Sequence, residues 1–120
     1  MKRATPEGAV VRSILDLCAR MRAPAWRLNS GAFAIEDGSG KRRFVRASWR
    51  GAPDVVALTH QHGTVWIECK SAVGRLTPDQ VAFREQCRER GIVYVVARSV
   101  DDVLPWIRTD ATIVRAAGGR

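Results

Sequence analysis

The sequence has no apolar run long enough to cross a bilayer, and Arg12 and Asp16 interrupt the apolar stretch near its start. Neither a membrane span nor a secretory leader is expected from that pattern. Its three cysteines, Cys18, Cys69 and Cys87, are odd in number, far apart and set among apolar residues. They read as reduced core residues of a cytoplasmic protein, not as bridges or a zinc site. No internal repeat and no linker divides the chain. No Gly-rich phosphate loop is present, and no Ser/His/Asp grouping emerges, so acyl chemistry lacks its parts. Acids are also in short supply, with twelve Asp and Glu against twenty Lys and Arg, a net charge of +8.

The 120 residues suffice for one domain with its own core, and 46% apolar content with four Trp supports a packed globule. The charge is uneven. Residues 1–53 hold eleven basic and four acidic residues, and residues 54–120 hold nine and eight. Most of the excess is arginine, whose planar fork suits phosphate. A surface of this kind implies a polyanionic partner, nucleic acid ahead of membrane, because no basic amphipathic helix stands out. A merely solubilising surface is the plainer alternative.

Along the chain, Thr5-Pro6-Glu7 reads as a helix start, with a capping hydroxyl, proline at the first position and an acid favoured by the helix dipole. Val10, Ile14, Leu17 and Met21 recur at helical spacing, so a helix ends before Pro24. The stretch from Trp26 to Arg46 reads as a hairpin turning at Asp37-Gly38-Ser39-Gly40, with Asn29-Ser30-Gly31 interrupting its first arm. Asp54–Leu58 and Thr64–Lys70 form a second hairpin around His60-Gln61-His62-Gly63. Both faces of that hairpin are apolar, which implies helices covering each side. Thr77-Pro78-Asp79-Gln80 starts a further helix that stops at Gly91. Ile92–Ala97 is a buried strand, and a short helix runs from Ser99 to Ile107, kinked or ended near Pro105. Residues 1–108 form the expected domain and residues 109–120 a loosely held tail.

The stretch VWIECK at 65–70 poses a question, because Glu68 and Lys70 interrupt an interior strand where charge is costly. If Leu58 pairs with Thr64, Asp54 lies directly opposite Glu68, and Lys70 shares their face. Two carboxylates face to face repel unless a divalent cation lies between them. Oxygen ligands suit Mg²⁺, or Mn²⁺ in its place. Such an ion polarises a phosphodiester and lowers the pKa of a water, and a neighbouring ammonium steadies charge on the phosphate. On the charges alone, a salt-bridged rim pair of Glu68 and Lys70 is the alternative.

Pro53-Asp54 followed by Glu68-Cys69-Lys70 resembles the PD-(D/E)XK nuclease signature. The wider set Gly51-Ala52-Pro53-Asp54, Ile67-Glu68-Cys69-Lys70, Gly74-Arg75-Leu76-Thr77-Pro78-Asp79-Gln80 and Gly91-Ile92-Val93-Tyr94 resembles the VRR-NUC family, the virus-type replication-repair nucleases, many of them small phage proteins. The resemblance implies an α/β fold: a mixed central β-sheet flanked by helices on both faces, with a restriction-endonuclease-like core ordered α-β-β-β-β-α-β-α. It implies that Asp54 and Glu68 are metal ligands, with the Cys69 carbonyl as a third, and that Lys70 is the catalytic lysine. It further implies that Gln80 helps position water or phosphate and that Glu7 completes the acidic site. Stand-alone members are similar to Holliday-junction resolvases and act as dimers.

Some of these residues have simpler roles open to them. Gln80 fits a capping box, and a side chain reaching back to the Thr77 amide cannot also serve the site. Glu7 fits a first-turn acid. His60 and His62 sit in a turn at the far end from Asp54 and Glu68 and read as solvated turn residues. Lys41, Arg43, Arg46, Arg50 and Arg75 are the candidate DNA contacts, with a charged, protected edge strand as the alternative reading of the first hairpin. Together these readings predict a Mg²⁺- or Mn²⁺-dependent endonuclease acting by in-line attack of an activated water on branched or junction DNA. It would work as a homodimer in the cytoplasm of a phage's host or other bacterium. A nick, flap or single-strand nuclease on the same site, and a non-catalytic DNA-binding module, are the rivals.

Overall fold

A computed structural model describes residues 6–28, 32–36, 38–46, 49–108 and 110, apart from the side chains of 32–34 and 44–46. Helix α1 (Glu7–Arg20) carries the expected apolar stripe, burying Val10, Val11, Ile14 and Cys18. Its N-cap is Pro6, in extended conformation. Thr5, the residue expected to cap it, lies outside the described residues.

Six strands stand among the described residues. Strands β1 (Ala25–Arg27), β4 (Val55–Thr59), β5 (Gly63–Cys69) and β6 (Val93–Ala97) form one sheet in the order β1-β4-β5-β6. Strands β2 (Ala32–Glu36) and β3 (Arg42–Arg46) form a separate two-stranded sheet, the expected first hairpin. Strand β4 pairs antiparallel with β5, and β5 pairs parallel with β6, so the main sheet is mixed. Leu58 lies opposite Thr64, the register on which the site depends.

The expectation that Trp26 opens the first hairpin needs correction. Residues 25–27 leave that hairpin and pair antiparallel with β4, Trp26 opposite Val56, and the Leu28 amide donates to the Asp54 carbonyl at 2.7 Å. Three residues are too few to display a period of two, so nothing local distinguishes this strand from the hairpin arm.

The core lies on one face of the main sheet. Val55 and Ala57 of β4, Val65, Ile67 and Cys69 of β5, and Val95 and Ala97 of β6 meet the stripe of α1, with Val103 and Ile107 closing it. Ile14, Ile67 and Ile107 are wholly buried, and each such side chain contributes about 1.5–3 kcal/mol of transfer free energy. Helix α2 (Pro78–Glu89) covers the other face, where Phe83 packs on Trp66 and Tyr94 at ring distances of 5.7 and 6.4 Å. The sheet is thus flanked by helices on both faces.

After β6, a 3-10 turn (Val100–Asp102) leads into a helical segment at 104–108, with Pro105 in its first turn, where the missing amide costs nothing. Of the expected tail, residue 110 alone is described. Asp110 is buried, and its carboxylate accepts from the His60 amide at 3.1 and 3.2 Å, pinning the β4–β5 turn. Residues 111–120 lie outside the described residues. All three cysteines are free and buried. Among the described residues no helix is long and apolar enough to cross a membrane.

Candidate active site

Pro53, fully buried, delivers the chain to the start of β4, where Asp54 immediately precedes Val55. Val55 pairs with Ile67, so Asp54 and Glu68 form the next rung at the end of the hairpin. Asp54 Oδ2 accepts the Cys69 amide at 2.8 Å, which fixes its carboxylate across the ladder. Glu68 is 2% exposed. Burial raises its pKa from 4.5 to about 8, and the charge of Asp54 together with a hydrogen bond to it pushes the same way. Lys70 pulls in the opposite direction, too weakly to offset the rest.

The Lys70 ammonium lies 3.6 Å from Glu68 Oε2 and 3.6 Å from Glu7 Oε1. Its side chain is almost wholly buried, whereas that of Glu7, at the N-terminus of α1, is half exposed. Two carboxylates therefore flank the one ammonium, and a third, that of Asp54, lies beside Glu68, so the group stays short of positive charge. Cys69 turns its side chain into the core, as the alternation of a strand requires, and burial pushes its thiol up to about 12, out of reach of thiolate chemistry.

Two features hold this rung in place. Gly51 has φ +81°, and a Cβ there would lie 2.2 Å from the Asp79 carbonyl oxygen. The loop carrying Pro53-Asp54 therefore rests its backbone directly on the first turn of α2, a contact only glycine permits. On the other side, the Lys70 amide donates to the Ala97 carbonyl at 2.9 Å, which extends the β5–β6 ladder up to the lysine.

Gln80 is committed to the helix end. Its Oε1 accepts the Thr77 amide at 2.9 Å, and its own amide donates to Thr77 Oγ1 at 3.2 Å, a complete capping box. His60 and His62 occupy the turn opposite the acidic rung, and His62 packs edge-on against Trp106 at 5.0 Å. Arg50 lies 3.8 Å from Asp79, while Arg75, Lys41 and Arg43 are exposed. Positions 43 and 46 are three apart on β3 and so belong to opposite faces of the hairpin. The side chain of Arg46 lies outside the described residues. An apolar cleft of about 430 Å³ opens between α2 and Trp49, lined also by Trp66, Phe83 and Ile92. It contains no acid, and the acidic rung is separate from it.

The VRR-NUC domain model matches residues 10–101, which take in Asp54, Glu68, Lys70 and Gln80. The chain belongs to the VRR-NUC family. It is a nuclease domain, and DNA is the partner that this implies. Neither a curated protein nor a solved structure matches it. Glu7 lies just ahead of the matched residues, so its place in the site rests on its contact with Lys70.

The residues fit a divalent cation of the kind used by PD-(D/E)XK nucleases. Among the described residues no group of three or more His, Cys, Asp or Glu forms a cage, but Mg²⁺ does not need one. It binds through one or two carboxylates and keeps waters and substrate phosphate as its other ligands. Asp54 and the buried Glu68 are the two carboxylates that could form such a pair, and the raised pKa of Glu68 marks a position short of positive charge.

Proposed function

We propose that this VRR-NUC domain is a Mg²⁺- or Mn²⁺-dependent endodeoxyribonuclease that hydrolyses phosphodiester bonds in branched DNA. The observation that carries the reading is the buried rung itself, Asp54 opposite Glu68 with the Lys70 ammonium 3.6 Å away. Asp54 and Glu68 would hold the ion together with the Cys69 carbonyl, and Glu7 lies close enough to Lys70 to join them. Bound there, the ion supplies Lewis-acid polarisation of the phosphate and a more acidic water.

The chain's own groups do the rest. Asp54, fixed by the Cys69 amide, keeps its carboxylate aimed at the ion site without reorganising. Glu68 must give up its proton for binding. Lys70, held between Glu68 and Glu7, presents its ammonium where it can orient a water or steady charge on the phosphate. Gln80 reaches the substrate only by leaving the Thr77 amide, so capping is its resting state. Phosphate contacts would come from among exposed Arg75, Lys41, Arg43 and Arg50 and from Arg46, only some of which share one face. Preference for junctions and action as a homodimer rest on resemblance to stand-alone family members. Free, buried cysteines support a reducing, cytoplasmic site of action.

Cleavage of a four-way junction, a blunt duplex and a single strand with Mg²⁺ or Mn²⁺ tests this. Wild type should cut the junction, and Lys70→Met, which keeps the buried stem, should bind it without cutting. Equal cutting by both proteins removes the catalytic assignment. A preference for single strands leaves a nuclease but not a resolvase. Binding with no cutting of any substrate by wild type leaves a DNA-binding module.

A further inference from the structure

Arg98 stands one residue beyond β6, whose last residue, Ala97, pairs with Cys69. The parallel ladder thus brings it beside the chain leaving Lys70. Its Nη1 donates to the Ser71 carbonyl at 2.5 Å and to the Gly74 carbonyl at 2.7 Å. One guanidinium nitrogen carries two hydrogens, so each carbonyl receives one, and the arginine bridges both ends of the turn at 71–74. That turn is closed on itself by the Gly74 amide, which donates to Ser71 Oγ at 3.0 Å. Arg98 is in turn anchored, because its amide donates to Asp102 Oδ2 at 2.9 Å.

The turn covers the stem of Lys70. A Cβ on Gly74 would lie 3.4 Å from Lys70 Cδ and 3.2 Å from Ser71 Oγ, so the glycine stands beside the aliphatic part of the lysine. The turn has little apolar anchorage of its own, since Ala72 and Val73 point to solvent and Val73 is 80% exposed. What presses it onto Lys70 is the charge-assisted pair from Arg98.

We infer that Arg98 is a positioning residue. By strapping the 71–74 turn over the Lys70 stem it holds the ammonium beside Glu68 and Glu7. This inference rests on the reading of Lys70 as a catalytic group. A lysine has several rotatable bonds and reaches a fixed point only if its stem is confined. A displacement of about 1 Å in a reacting group costs up to about a hundredfold in rate.

The test uses Arg98→Ala and Arg98→Lys in the full chain. The chain has three lysines, Lys2, Lys41 and Lys70, so acylation by an amine-reactive reagent, followed by peptide mass, reports Lys70 directly with Lys41 as internal reference. In Arg98→Ala, Lys70 should label several-fold faster relative to Lys41. The turnover rate should fall about ten- to a hundredfold, with affinity for uncut DNA in Ca²⁺ changed by less than about threefold. Arg98→Lys should recover part of both effects, because an ammonium can still meet one carbonyl. Unchanged labelling and turnover in Arg98→Ala overturns the inference. So does weakened DNA affinity with turnover intact, the mark of a phosphate contact, which would also lower the salt slope by about one. Failure of the nuclease reading looks different: wild type does not cut, while the labelling still reports the strap.

Discussion

Replacing Glu68 by glutamine should make the metal-free protein more stable at alkaline pH while abolishing cutting. The carboxyl is raised from 4.5 to about 8 by burial and by Asp54, so it binds its proton more tightly folded than unfolded. The stability it contributes is therefore complete below about pH 4.5 and is lost as the pH climbs to about 8. A tenfold change in proton affinity is worth about 1.4 kcal/mol, which caps the loss at roughly 5 kcal/mol. Glu68 is 2% exposed, so solvent screens little of this. Glutamine keeps the shape and stays neutral, but its buried amide needs partners of its own, so a net gain on the order of 1–2 kcal/mol is expected at pH 9. For a domain of this size that is roughly 5–10 °C in Tm. Thermal melts in chelator at pH 5 and pH 9 measure it. The two proteins should melt nearly together at pH 5, with the variant higher at pH 9. A variant that melts lower than wild type at pH 9 would refute the idea that the acidic rung is electrostatically strained.

Two further outcomes follow from the supports of the site. Gly51→Ala forces a side chain into positive φ and onto the Asp79 carbonyl, so it should cost at least about 2 kcal/mol in urea unfolding and lower cutting as the Asp54 loop shifts; unchanged stability would refute a requirement for glycine at this contact. Gln80→Glu keeps the capping box and should preserve stability, whereas Gln80→Ala should lose about 1 kcal/mol. Cutting that tracks stability across the pair marks Gln80 as a cap, and cutting lost in both marks a contact with substrate or water.

The β4–β5 hairpin was legible because a short turn ties its two strands together. Leu58 opposite Thr64 places Asp54 opposite Glu68 by counting alone, and the structure has that register. The Thr77-Gln80 cap was legible for a similar reason, since both partners lie within one turn. The pairing of β5 with β6 is different in kind. Parallel strands are joined through α2, so no local rule sets their register, and the approach of Arg98 to the 71–74 turn depends on it. Strand β1 was too short to show a period, and Asp110 reaches His60 across fifty residues. Nothing in the alternation of 41–46 could rank the basic residues either, because a strand sends them to both faces by turns.

Crystals soaked in Mn²⁺ and measured for anomalous scattering test the central claim most directly. A peak should stand between the Asp54 and Glu68 carboxylates in wild type and vanish in Glu68→Ala. An anomalous map with no peak there at saturating Mn²⁺, in a protein that nonetheless cuts DNA, would contradict the account.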